Sequence, residues 1–273
     1  MRTIVQLSDL HFGRTDAALV EPLLAAIASV DPHLVVVSGD LTQRAKTEEF
    51  RAAGAFLGRL PYPRIVIPGN HDVPLYRVWE RFFDPLGKFR RYVNAELEPA
   101  FVDPEIAVVG INTARSLTWK GGRVNEAQIE AVRARFEAVP TTLTRIVVTH
   151  HPFDLPARPG SGALVGRADK AMAVFARCGV DLLLAGHFHD TQAAVSVARY
   201  PLDNFSALVV QAGTATSTRG RGEANSFNVI QVQKNAIDVE PWAWTAARGQ
   251  FVPTVPLRFR RVGSRWLQTS RGD

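Results

Sequence analysis

Five short, largely β-branched apolar runs, each ending in side chains that can hold a metal or carry a proton, constrain what this chain can fold into. The clearest is Arg64-Ile65-Val66-Ile67-Pro68, followed at once by Gly69-Asn70-His71-Asp72. Such a run reads as a buried strand, so the next four residues form the loop at its C-terminal end. Open α/β sheets keep their ligands in loops of that kind. Gly69 permits a tight turn, Asn70 offers an amide oxygen, and His71 and Asp72 are titratable neighbours. One such loop is an ordinary polar turn, and the weight lies in its recurrence.

The run at residues 3–7 ends in Ser8-Asp9-Leu10-His11, where a carboxylate and an imidazole at i, i+2 can point the same way in an extended loop. Leu34-Val35-Val36-Val37, continuously apolar as in a parallel sheet covered on both faces, ends in Ser38-Gly39-Asp40. The run 145–149 ends in His150-His151-Pro152. A residue before proline is pushed to extended geometry, so His151 is expected to point away from His150, and His150 is taken as the site residue. The run 181–185 ends in Gly186-His187-Phe188-His189, again two imidazoles at i, i+2.

Helical patterns separate these runs. They cover residues 21–30, Thr47 to about Gly58 with an acidic first turn, a capping box from Asn125 to Gln128 leading to about Ala138, and about 168–177. With a further strand at 106–111, the alternation predicts right-handed crossovers and a largely parallel sheet. Beyond Asp190 strands follow without helices, at about 193–197, 207–211, 227–233 and 237–244. They read as an antiparallel meander that forms a second sheet or completes the first.

Four segments stand outside this pattern. Residues 75–92 interleave Tyr76, Trp79, Phe82, Phe83 and Phe89 with Arg77, Arg81, Arg90 and Arg91. They read either as amphipathic helices with the aromatics packed inward or as a lid over an anionic ligand. Residues 156–166 form a Pro/Gly-rich loop suited to gating access, 213–225 a Thr/Gly/Arg-rich loop at one end of the late strands, and 258–271 a basic tail. No linker interrupts the chain, so residues 1–273 are expected to form one domain, with a motif-bearing core (1–190) and a β-rich completion and tail (191–273).

A single cysteine, Cys178, excludes an internal disulfide and fits a reducing cytosol. The chain enters a strand at once, with no secretion signal, and no run approaches the ~20 apolar residues of a membrane span. A cytoplasmic location is the expectation. The net charge of +6 suits anionic partners such as phosphate esters, nucleic acid or a lipid headgroup surface.

Collected together, the strand ends supply Asp9, His11, Asp40, Asn70, His71, His150, His187 and His189. That is enough for two divalent ions sharing a carboxylate, as in sites that hold metals ~3.5–4 Å apart for displacement at phosphorus. The mixed oxygen and nitrogen donors suit Mn, Fe, Co, Ni or Zn better than Mg or Ca. In order, Asp9-Leu10-His11, Gly39-Asp40, Gly69-Asn70-His71-Asp72, His150 and Gly186-His187-Phe188-His189 resemble the five motifs of the calcineurin-like metallophosphoesterases.

The resemblance implies a four-layer α/β/β/α sandwich with mixed sheets and the metals at the C-terminal ends of the strands. By that similarity Asp9, His11 and His189 hold one metal, Asn70, His150 and His187 the other, and Asp40 bridges them. His71 lies beside the phosphate and, oriented by Asp72, is expected to protonate the leaving oxygen or stabilise the transition state, while a hydroxide between the metals attacks phosphorus.

Layout and length are similar to bacterial class III cyclic nucleotide phosphodiesterases, which implies a small phosphodiester substrate with specificity set by 75–92 and 213–225. An alternative is hydrolysis of a nucleotide-linked lipid precursor in peripheral contact with a membrane. A second alternative is a non-catalytic scaffold, whose mark would be lost ligands; here none is lost. No basic stripe predicts a stable nucleic-acid partner, and a homodimer is compatible with the sequence.

Overall fold

Alternation within the strands sends successive side chains to opposite faces, and in this computed structural model the central strands of both sheets are buried on both faces. The structure describes residues 1–118, 121–155, 164–196, 200, 205–218 and 223–269. The elements in order are β1 (Arg2–Leu7), α1 (Val20–Val30), β2 (Leu34–Ser38), α2 (Thr47–Gly58), β3 (Arg64–Ile67), α3 (Val78–Phe83), α4 (Gly87–Tyr92), β4 (Ala100–Val102), β5 (Ile106–Gly110), α5 (Glu126–Glu137) and β6 (Thr144–Val148). After these come α6 (Ala168–Arg177), β7 (Leu182–His189), β8 (Gln192–Ser196), β9 (Ala207–Gly213), β10 (Ser226–Gln233), β11 (Ala236–Thr245), β12 (Gln250–Pro253), β13 (Leu257–Val262) and β14 (Arg265–Thr269).

One sheet runs β14-β13-β11-β10-β1-β2-β3, with β12 added to β11; the other runs β4-β5-β6-β7-β9-β8. The motif-bearing strands are parallel within each sheet, β1 to β2 to β3 and β5 to β6 to β7. In β1, Ile4 faces the layer between the sheets and Val5 the outer layer; in β2, Val36 faces inward while Val35 and Val37 pack outward. The inner layer joins Ile4, Val36 and Ile65 of one sheet to Val108, Ile146 and Leu184 of the other. Leu23, Ile27, Phe50 and Phe56 of α1 and α2 cover one outer face. Ile129, Val132, Met172 and Phe175 of α5 and α6 cover the other. This is the expected four-layer α/β/β/α sandwich. It delivers β1, β2, β3, β6 and β7 with their C-terminal ends at one edge.

Three expectations are corrected. The late strands split instead of forming one meander: β9 pairs parallel with β7 and β8 borders it, while β10 and β11 extend the first sheet. The basic tail is a hairpin, β13 paired with β14, that buries Phe259 and Trp266. Its arginines face carboxylates, Arg260 on Asp238 at 2.7 Å and Arg261 on Asp181 at 2.8 Å. In 75–92, Leu86 and Phe89 turn inward but Tyr76, Trp79, Phe82 and Phe83 turn outward. The gating loop expected at 156–166 lies outside the described residues over 156–163, as does the centre of the 213–225 loop at 219–222. Among the described residues no helix is long and apolar enough to cross a membrane.

Candidate metal centre

Each parallel strand must leave the sheet at its end, and the loops there turn sharply. Asp9, His11, Asp40, His187 and His189 all have positive φ, between 47° and 76°. Such left-handed backbone is unfavourable for side-chain-bearing residues and persists only where the surroundings enforce it. Gly39 and Asp40 hold the turn after β1: Asp9 N–H donates to the Gly39 carbonyl at 3.1 Å and His11 N–H to the Asp40 carbonyl at 3.0 Å. Within β7 the pairing to β9 shifts register between Ala185 and His189, so the strand continues through both histidines as an irregularity.

The side chains converge in two groups. In the first, Asp9 Oδ1 lies 3.2 Å from His189 Nε2 and 3.5 Å from His11 Nε2. In the second, Asn70 Oδ1 lies 3.1 Å from both His150 Nε2 and His187 Nδ1, which are 3.3 Å apart. Asp40 Oδ2 stands between them, 3.3 Å from His150 Nε2 and 3.8 Å from His11 Nε2. The geometry thus brings together all seven residues expected to be ligands.

These donor atoms fit metal ions. Ligands about 2.1 Å from a common centre stand roughly 3.0–3.4 Å apart, close to the 3.1–3.5 Å spacing within the two groups. Asp9 Oδ1 is buried without a hydrogen bond, a costly condition for a carboxylate oxygen unless a cation takes it. The other carboxylate oxygen, Oδ2, is already engaged by the Ser8 hydroxyl at 2.6 Å and the His187 N–H at 3.0 Å. His150 Nδ1 donates to the Ser38 carbonyl at 2.8 Å, and His11 Nδ1 lies 3.3 Å from the Thr42 carbonyl. A proton at Nδ1 turns the Nε2 lone pair toward the centre.

Burial and neighbouring charge polarise the groups. Burial alone would raise Asp9 and Asp40, yet His11 and His189 beside the first and His150 beside the second hold both carboxyls well below the usual range. His150 is pushed up to about 9, because the Asp40 charge outweighs burial. His187 falls to about 4 through burial and the neighbouring His150.

Asp72 is engaged by backbone and hydroxyl donors. Its Oδ1 accepts the Thr42 N–H at 2.8 Å and hydroxyl at 2.9 Å, and Oδ2 the Gly69 N–H at 2.9 Å and Leu41 N–H at 3.1 Å. The carboxylate therefore ties the loop after β3 to the loop after β2. Burial and the Asp40 charge raise it to about 6. The His71 ring is positioned by the Gln43 carbonyl, 2.9 Å from Nδ1, and stands edge-on to His11 at 4.8 Å between centroids. Its backbone N–H donates to Asp40 Oδ1 at 2.8 Å.

His151 does not point away. Its ring meets His150 edge-on at 4.8 Å and His187 at 4.7 Å, and Nδ1 lies 2.8 Å from the Thr113 hydroxyl. The chain bends after Val148 and leaves strand geometry, so alternation no longer applies. Sequence reasoning also missed Ser8, Gln43, Thr113, Thr214 and Thr216. The last two donate to the carbonyls of Asp9 at 2.7 Å and Leu10 at 2.9 Å, anchoring the first ligand loop from behind. Runs of small hydroxyl residues after β9 were their only signal.

Residues 2–191 match the calcineurin-like phosphoesterase family model. A 41-residue stretch is 51% identical to the glycerophosphodiester phosphodiesterase GpdQ of Enterobacter lignolyticus, spanning 15% of each chain. Among solved structures, a dimetal phosphatase from Danio rerio superposes with a TM-score of 0.66 at 12% identity, over 92% of this chain and 98% of that one. The purple acid phosphatase PPD1 of yellow lupin also reaches 0.66, at 13% identity, over 93% of this chain and 53% of that one. With a family match across most of its length and the α/β/β/α layers around the two donor groups, the chain belongs to the calcineurin-like phosphoesterases.

Proposed function

We propose that the protein hydrolyses small phosphodiesters, cyclic nucleotides among them, at a centre of two divalent metal ions. The observation that carries this is the meeting of two donor groups at one oxygen, Asp40 Oδ2. Asp9, His11 and His189 would hold one ion and Asn70, His150 and His187 the other, with Asp40 shared. Mn, Fe, Zn, Co and Ni all suit these donors. When bound, the pair of ions supplies charge neutralisation at phosphorus and lowers the pKa of a water.

The chain's own residues supply orientation and a proton. Asp9 and Asp40 remain ionised, so they enter the centre as carboxylates at any working pH. His71, with Nδ1 against the Gln43 carbonyl, presents Nε2 as the nitrogen that gives or takes a proton at the leaving oxygen. Asp72 acts at one remove, fixing the two loops that carry Asp40, Asn70 and His71. Preference for a diester draws support from the short stretch shared with a glycerophosphodiester phosphodiesterase.

The test uses protein stripped of metal and reloaded with Mn²⁺, assayed on bis-p-nitrophenyl phosphate, p-nitrophenyl phosphate and 3′,5′-cyclic AMP. Metal-dependent turnover of the diester and cyclic nucleotide above the monoester is expected. Turnover of the monoester alone would overturn the diester reading.

A further inference from the structure

Helix α3 is built inside out. Val78, Trp79, Phe82 and Phe83 lie at i, i+1, i+4 and i+5, one continuous helical face, and that face points to solvent, with Trp79 77% and Phe83 76% exposed. The residue turned inward is Arg81, only 6% exposed. Its guanidinium donates to the Pro74 and Thr118 carbonyls, each at 2.9 Å. Burying a guanidinium is expensive, and the ordinary solution for this sequence would put the aromatics in and the arginine out. Trp79 and Phe83 stack on one another at 5.3 Å with 20° between their planes, so the face is preformed. Tyr76, two residues before the helix, is largely exposed as well. Contiguous apolar surface of this kind on a small protein marks an interaction site.

Charge decides what fits there. Glu80 and Asp84, the acidic residues of α3 and its exit, are taken up by Arg77, Lys88 and Arg90. Arg44 lies over the Tyr76 ring at 5.4 Å, and Arg51 and Arg91 over Tyr92 at 5.7 and 5.4 Å. All three guanidinium residues are exposed; Arg44, over Tyr76, and Arg77, at the start of α3, border the aromatic face, on a chain of net charge +6. A second copy docked by two-fold symmetry would set these cations against each other. The cavity beneath the helices, about 280 Å³, mixes Phe50, Pro74 and Tyr92 with Glu80, Asp84 and Lys88, and its charged groups make it a poor seat for a purely apolar group. Exposed Trp, Phe and Tyr rimmed by arginine match the headgroup region of a bilayer, where aromatic rings sit at the interface and basic residues meet anionic lipid.

We infer that the outward face of α3, with Tyr76, is a docking surface for an anionic phospholipid bilayer. The face starts four residues beyond Asp72, and Arg44, which holds Tyr76, follows Gln43, whose carbonyl positions His71. Docking therefore brings the metal centre's flank to headgroup level, where phosphodiesters abound. That link to the reaction rests on the phosphodiester reading, whereas adsorption does not.

Sedimentation of the Mn-loaded protein with phosphatidylglycerol/phosphatidylcholine vesicles, and with phosphatidylcholine alone, tests the inference. Wild type is expected to partition onto the anionic vesicles, more weakly at high salt. The Trp79→Ser, Phe83→Ser double variant is expected to lose about tenfold or more of that partitioning. The same variant should keep wild-type turnover of soluble bis-p-nitrophenyl phosphate, which reports folding and tests the phosphodiester reading independently. Equal sedimentation of the two proteins, no sedimentation of wild type, or a lipid-free dimer dissolved by the double substitution would each overturn it.

Discussion

Asp72 Oδ1 grips Thr42 twice, accepting its backbone N–H at 2.8 Å and its hydroxyl at 2.9 Å. The same carboxylate reaches Gly69 and Leu41 through Oδ2, so one buried side chain joins the loops after β2 and β3. Asp72→Asn would turn an amide NH₂ toward donors that need an acceptor. A loss of about 2–3 kcal/mol in unfolding free energy is expected, together with weaker metal retention as Asp40 and Asn70 drift apart. Urea denaturation and metal analysis read the two effects. A stable variant with full metal would show the clasp to be dispensable.

His71 separates from this behaviour. Its ring is positioned by a carbonyl from another loop, and its removal leaves every carboxylate bond of Asp72 intact. His71→Ala should keep two metals per chain and lose about a hundredfold or more in kcat, the ordinary range for a missing acid–base group. If it emptied the centre instead, His71 would belong with the ligands.

Five of the seven ligand residues sit at positive φ, each costing about 1 kcal/mol or more. Metal binding offsets this strain, so chelation should destabilise the fold as a whole. With ions about a thousandfold above their dissociation constants, each contributes ~4 kcal/mol, or about 10 °C in Tm per ion. Thermal melts with and without a chelator measure it. Asp9→Asn should lower the bound metal from two equivalents toward one, since the first group loses its only unshared carboxylate.

The sequence was legible where periodicity and side-chain chemistry agree. Residues 34–37 and 64–67 have no other use than buried strands, and the Asn125 to Gln128 capping box appears as read, with N–H to oxygen bonds in both directions at 2.8 and 2.9 Å. What escaped depended on partners distant in the chain. The alternation of Leu257, Phe259 and Arg258, Arg260 is a strand signal, yet basic composition hid it. Only Asp238 and Asp181, 20 and 80 residues upstream of Arg258 and Arg261, make those arginines structural. Likewise the local pattern of α3 points its aromatics inward, and the carbonyls of Pro74 and Thr118 reverse it.

Asp103 provides a pH test away from the centre. Burial would raise its carboxyl, but the Glu105 and Ile106 N–H groups at 2.7 and 2.9 Å and Arg2 at 2.6 Å hold it below the ordinary 3.8. A carboxyl depressed in the folded state stabilises it above the unfolded value and loses that contribution as pH falls through the folded one. Acid unfolding of wild type should therefore steepen below about pH 4. Asp103→Asn should be less stable at neutral pH and flatter across that window, as followed by circular dichroism. An unchanged acid limb would remove Asp103 from the account.

The backbone of Gly69, with φ of −107° and ψ of −175°, is open to any residue. The requirement is space: a Cβ there would lie 2.1 Å from Asp40 Oδ1 and 2.3 Å from Asp40 N. Both atoms belong to the shared ligand and its backbone, which the Asp72 clasp holds in place, so neither can yield cheaply. Gly69→Ala should push the Asp40 carboxylate away from His150 and His11 while leaving the strands before and after it paired. The expected result is a folded protein that binds metal at least about tenfold more weakly, because the second group and the bridge are displaced together. Isothermal titration with Mn²⁺ alongside a thermal melt distinguishes this from general unfolding. Undiminished affinity would mean that the two loops can separate by more than a methyl group without disturbing the centre.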